Sequence, residues 1–224
     1  MGRAIPRRIA QAGRKFFPNG LWEGPADRPW VTLTFDDGPH PEITTRILEG
    51  LRRTRAQASF FLVGRHVEQH PDLARRIQDE GHDVGNHTWR HWPLVAGCGS
   101  PARQLSRSEE LLARLCPGSP RIFRPPFGVI GPGGATALAK TGLLPVYWSV
   151  VPADWDPLPA EEVRRRVLME AHPGAVVVLH GGQTRHRGTA EAVAGLVCRL
   201  RESGYEIVPL AAMLAAAGLR WSTR

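Results

Sequence analysis

Short β-rich runs alternate with helix-patterned segments along almost all of this 224-residue chain, and that alternation restricts its fold more than any other feature. The runs are WVTLTF at 30–35, ASFFLVG at 58–64, HDVGNHT at 82–88, RIFRPPF at 121–127, PVYWSV at 145–150, AVVVLH at 175–180 and YEIVPL at 205–210. Between them, apolar residues recur at helical spacing in 41–54, 71–82, 106–115, 160–171 and 189–204. In the first of these, Ile43, Ile47, Leu48 and Leu51 share a face. Strand–helix alternation builds parallel α/β sheets. About seven such strands in one domain predict a barrel or an incomplete barrel. An open doubly wound sheet is the competitor, but no Gly-rich dinucleotide fingerprint follows the first strand.

Composition bounds the function. The net charge of +8 resembles an anionic-partner signal, but five of those charges are local. Residues 1–17 hold Arg3, Arg7, Arg8, Arg14 and Lys15 and no acid. Residues 1–29 therefore read as a basic arm ahead of a catalytic domain at 30–218. Such an arm either makes weak contact with an anionic membrane surface or polymer, or is a solvated extension. No aromatic residues interleave with a basic stripe, so nucleic acid is not an expected partner. No signal-peptide core follows the basic start, and no run approaches the ~20 apolar residues of a spanning helix. The expected location is cytoplasmic or membrane-peripheral. Cys98, Cys116 and Cys198 lack metal-type spacing and read as free thiols.

Ionisable residues sit at the ends of the predicted strands. Asp36 and Asp37 follow VTLTF, His87 ends HDVGNHT, Arg124 ends RIF, Asp154 follows YWSV and His180 ends AVVVL. In a parallel barrel these ends gather on one rim, where sites form. His87 and His91 are four apart, so a helical turn there would put both imidazoles on one face, able to hold one cation. With Asp37 they make two His and one carboxylate, a catalytic arrangement for zinc or iron. A cation on Asp37 also relieves the repulsion between adjacent carboxylates, leaving Asp36 as a base. His180 suits a general acid. Arg124, held extended before Pro125, suits a bidentate grip on Asp36. His40 is expected to line the cleft.

TFDDGP at 34–39, HTWRH at 87–91, RPPFG at 124–128, DW at 154–155 and VVVLH at 176–180 resemble, in order, the five motifs of the NodB-like polysaccharide deacetylases, carbohydrate esterase family four. The resemblance runs from about Trp30 to Leu210. It implies a distorted (β/α) barrel that removes N-acetyl groups from N-acetylglucosamine-containing glycans such as peptidoglycan or chitin-type oligosaccharides. It implies one divalent metal, zinc first and otherwise cobalt, manganese or nickel, held by Asp37, His87 and His91. Asp36 would be the base, His180 the acid and Arg124 the residue orienting the base. The backbone N–H of Phe127 would meet the oxyanion, and Trp155, Val178 and Pro125 would line the substrate pocket.

The chain departs from the family pattern at several positions. Phe127 stands where Tyr is frequent, Val178 where Leu is frequent and Gly181 where Asp is frequent. The fourth motif, DxxDW, reads VPADW, with Val151 at the first acid. Loss of that acid predicts a His180 without an anionic partner, a lowered pKa and an acidic shift of the pH optimum. Two further readings follow: an amide hydrolase acting on a small or lipid-linked N-acyl compound, and a sugar-binding relative impaired by Val151.

Overall fold

The computed structural model describes residues 20–224. In chain order the elements are β1 (Trp30–Asp36), α1 (Ile43–Thr54), β2 (Ser59–Leu62), α2 (Gly64–Gln69), α3 (Pro71–Asp79), β3 (Asp83–Asn86), α4 (Pro101–Leu115), β4 (Ile122–Phe123), α5 (Pro132–Ala139), β5 (Leu144–Pro145), α6 (Ala160–Glu170), β6 (Ala175–His180), α7 (Arg187–Glu202), β7 (Glu206–Ile207) and α8 (Leu210–Ala216). The strands form one seven-stranded sheet of order β5-β4-β3-β2-β1-β6, with β7 on β1. All of these pairings are parallel. The sheet curls into a distorted (β/α) barrel, as expected. Between β5 and β6 the wall is irregular: the Val150–Val177 bridge joins it to β6, and Ser149 N–H donates to Val176 O at 2.9 Å.

Period-2 alternation assigns the two faces of each strand. On β1, Val31, Leu33 and Phe35 face outward into a core shared with Ile43, Ile47, Leu48 and Leu51 of α1 and Val193, Leu196 and Val197 of α7. Thr32, Thr34 and Asp36 alternate with them and are buried. The two threonines satisfy their hydroxyls on Val208 O and Val177 O. On β6, Val177 and Leu179 join the outer core, while Val176, Val178 and His180 point the other way.

Several predicted strands are shorter than expected. β4 is two residues of the expected 121–127, because Pro125 and Pro126 have no N–H to extend a ladder. The 145–150 run is a strand only at its start and then bulges out to reach β6. The basic residues of the arm lie outside the described residues. Leu21 and Trp22, within the expected arm, are buried, and Leu21 bridges Val146. At the other end, the Arg224 side chain is buried and bonds Glu109, Val84 O and Pro120 O. No helix among the described residues is long and apolar enough to cross a membrane.

Candidate active site

The C-terminal strand ends surround a cavity of ≈ 520 Å³ lined by Asp36, Asp37, His87, His91, Phe127, Val151, Trp155, Val178 and His180, among others. The strand-end residues read from the sequence therefore converge. Arg124 lies beneath them, fully buried.

Asp36 ends β1 on its inward face. Arg124 Nη1 donates to Asp36 Oδ1 at 2.8 Å and to Thr34 Oγ1 at 2.6 Å. Its Nη2 and Nε donate to the carbonyls of Tyr147 and Val146, and the guanidinium stacks 4.1 Å from the Phe61 ring. The expected bidentate grip on Asp36 is thus a single hydrogen bond. The rest of the fork holds the irregular wall after β5, so Arg124 is fixed on both sides and so is the carboxylate.

Asp37 faces the same cavity because its own backbone reverses, with φ 73. Strand neighbours would otherwise point apart. The glycine at 182 seats the loop after β6 against this turn: a Cβ there would overlap Asp37 Cβ and its carbonyl. His87 and His91 meet Asp37 without the helical turn that their spacing would have allowed. Left-handed residues at Thr88 (φ 65) and His91 (φ 59) bend the chain so that the two rings lie 4.9 Å apart.

His87 Nε2 and His91 Nε2 stand 3.4 and 3.1 Å from Asp37 Oδ1, and the donor atoms of the three residues lie within 4.8 Å of one another. His87 Nδ1 donates to Arg124 O at 2.7 Å, which turns the Nε2 lone pair of a neutral ring toward Asp37. Asp37 Oδ1 is buried with no hydrogen-bond donor of its own. Lone pairs converging on a buried carboxylate oxygen are the donor set a divalent cation requires, so these residues fit one. His66 Nδ1 supports the turn from outside by bonding Asp37 O at 2.8 Å.

His180 has an anionic partner, contrary to the expectation from Val151. Its Nδ1–H donates to Asp154 Oδ1 at 2.8 Å, and its backbone N–H donates to Asp154 Oδ2. Thr189 Oγ1 donates to the same Oδ2 at 2.7 Å. Burial alone would lower the His180 pKa, but the Asp154 charge, aided by Asp37 and Asp36, raises it to about 9. His180 is therefore a cation at neutral pH, and the acidic shift predicted from Val151 is corrected. Val151 instead gives the cavity an apolar wall. His186 packs against His180 with ring centroids 5.6 Å apart. Burial, then the His180 charge, lowers its pKa to about 4, so it stays neutral.

Phe127 is 66% exposed, sits at φ 59 and sets its ring edge against His91. Its N–H has no protein acceptor among the described residues. Trp155 stands edge-on to His180 at 5.9 Å. Pro125 is buried and outside the lining. His40 is also outside it: its Nδ1 accepts from the N–H groups of Glu42 and Ile43 and caps α1. The sequence reading missed Val63, Arg65, His66, Trp148, Gln183 and Arg185, which complete the lining. Arg65 lies just past β2, where the strand-end rule already pointed.

The polysaccharide deacetylase family profile matches residues 23–146. A peptidoglycan-N-acetylglucosamine deacetylase of Bacillus cereus is 34% identical over 194 residues, covering 86% of this chain and 70% of that protein. A chitooligosaccharide deacetylase of Azorhizobium caulinodans is 35% identical, covering 80% of this chain and 92% of that protein. The crystal structure of a peptidoglycan N-acetylglucosamine deacetylase bound to an N-oxidanyl-benzamide superposes with a TM-score of 0.83 at 32% identity, over 90% of this chain and 95% of that one. With this barrel and this rim, the chain belongs to the polysaccharide deacetylase family and is a hydrolase.

Proposed function

We propose that this protein is a metal-dependent N-deacetylase of N-acetylglucosamine-containing glycans. The observation that carries the proposal is the meeting of a two-His, one-Asp cluster with Asp36 and a charged His180 around one cavity. Asp37, His87 and His91 would hold a divalent cation, zinc being favoured by two imidazoles and one carboxylate. When bound, such a cation acts as a Lewis acid that makes water nucleophilic at neutral pH.

The remaining steps belong to the chain's own residues. Asp36, fixed by Arg124, accepts a proton as water attacks the acetamide carbonyl carbon. The Phe127 N–H donates to the oxyanion that develops. His180, whose Nδ1 is occupied by Asp154, donates from Nε2 to the amide nitrogen. The C–N bond then breaks, giving acetate and a free amine. Trp155 and Val178 flank the acetyl methyl.

Incubation with chitooligosaccharides and with peptidoglycan fragments tests this, with acetate as the readout. Metal-dependent release, abolished by a chelator, is the expected result. No release from any N-acetyl sugar sinks the reading. The Asp36→Asn variant should retain bound metal and lose about 10²–10⁴-fold in kcat; a fully active variant removes Asp36 as the base.

A further inference from the structure

Two arginines stand in the cavity lining with nothing to neutralise them. Arg65, one residue into α2, donates from Nε to His66 Nε2 at 3.2 Å. Arg185, in the loop after β6, donates from Nε to His186 Nε2 at 3.4 Å. Each is thus anchored on an imidazole that accepts. Neither side chain makes an ion pair or any other hydrogen bond among the described residues, so both Nη nitrogens of each fork are free. Six other arginines, Arg124, Arg164, Arg165, Arg166, Arg187 and Arg224, spend their forks on carboxylates or carbonyls. The acids of the cavity lining are Asp36 and Asp37, already engaged by Arg124 and by the two imidazoles.

The two arginines reach the cavity from opposite sides of β1. One belongs to the β2 end beside Asp37, through His66. The other belongs to the β6 end beside His180, through His186. A guanidinium held at Nε presents its Nη edge in the geometry that grips a carboxylate or phosphate oxygen pair. A neutral N-acetyl sugar offers only hydroxyl and carbonyl acceptors, with no negative charge to match either guanidinium.

We propose that Arg65 and Arg185 make this cleft selective for a glycan carrying an anionic oxyacid group, a carboxylate or a phosphate ester, on or next to the N-acetylated sugar. This rests on the deacetylase reading above and specifies its substrate class. Recognition is by charge-assisted hydrogen bonds, so it acts on kcat/KM and weakens with salt.

The test compares three N-acetylated substrates on the metal-loaded enzyme: a neutral chitooligosaccharide, a peptide-free peptidoglycan strand with its carboxylates exposed, and an N-acetyl sugar phosphate. One anionic substrate should exceed the neutral one by about tenfold in kcat/KM at low salt, and that arm identifies the source of the anion. In the Arg65→Gln, Arg185→Gln double variant the ratio should collapse toward one. Equal kcat/KM for neutral and anionic substrates, or a preference that survives the double variant, overturns the inference and leaves the deacetylase reading standing. No acetate from any of the three overturns the deacetylase reading, and the inference with it.

Discussion

Asp154 sets the protonation of the proposed acid. Burial opposes the charged form of His180, but the Asp154 carboxylate bonded to its Nδ1, aided by the Asp37 and Asp36 charges, raises its folded-state pKa to about 9. The sign follows from that direction. The contribution to stability is fully present below the ordinary His value of about 6.5 and is lost as pH rises through about 9. The proton-donating form of His180 is lost in the same window. Replacing Asp154 by Asn removes the charge but leaves the burial, so the basic limb of the kcat/KM profile should move from near 9 down by about two units or more. An unmoved limb would show that another group controls it. Position 151 carries no acid here: Val151 is an apolar part of the cavity wall. The family motif has two acid positions, this chain keeps only Asp154, and the side-chain direction of Asp154 depends on Ala153. Its φ of 59 turns the following side chain inward, and no periodic pattern encodes that reversal. Asp36 and His180 were legible for the opposite reason: they end long strands whose alternation can be counted.

At the scale of elements, legibility followed strand length. β1 and β6 appear almost residue for residue, because each is a run with apolar residues on one face and small polar or β-branched residues on the other. β4, β5 and β7 are two residues each, held by neighbours rather than by their own pattern. α5 carries two glycines and no helical period, and escaped notice for that reason. The loops matter more to the site than the strands do. The β6 loop leans on the β1 loop at Gly182 and again where Gly181 N–H donates to Asp36 O at 2.9 Å. A methyl group at 182 must push Asp37 away from the two histidines. The Gly182→Ala variant should therefore keep its far-UV spectrum and its outer core while metal affinity falls about 10–100-fold, the range for lost ligand support. Competition with a chromophoric chelator measures this, and unaltered affinity would mean that the two loops adjust independently.

On the scale of the whole molecule, strand order explains why one site contains all these parts. β1 lies between β2 and β6, so Asp36 at its end has the β2 and β3 loops on one side and the β6 loop on the other. The proposed ligands come from β1 and β3, the acid from β6, and Arg124 of β4 reaches across the interior to tie β1 to the irregular wall. The outer core formed by β1, α1 and α7 is continuous and fully apolar beneath the rim. A cation bound to the folded state alone still stabilises it, by about 2.7 kcal/mol at a hundredfold excess over Kd. For a chain of this size that corresponds to a rise of about 5–10 °C in Tm. Stripping the protein with a chelator should lower Tm by that amount, leave it folded at room temperature and abolish acetate release; adding back zinc should restore both. The His87→Ala variant should melt at the same temperature with and without zinc. A wild-type Tm indifferent to chelator and to added zinc would refute cation binding at this cluster, whereas a zinc response surviving in His87→Ala would locate the binding elsewhere in the chain.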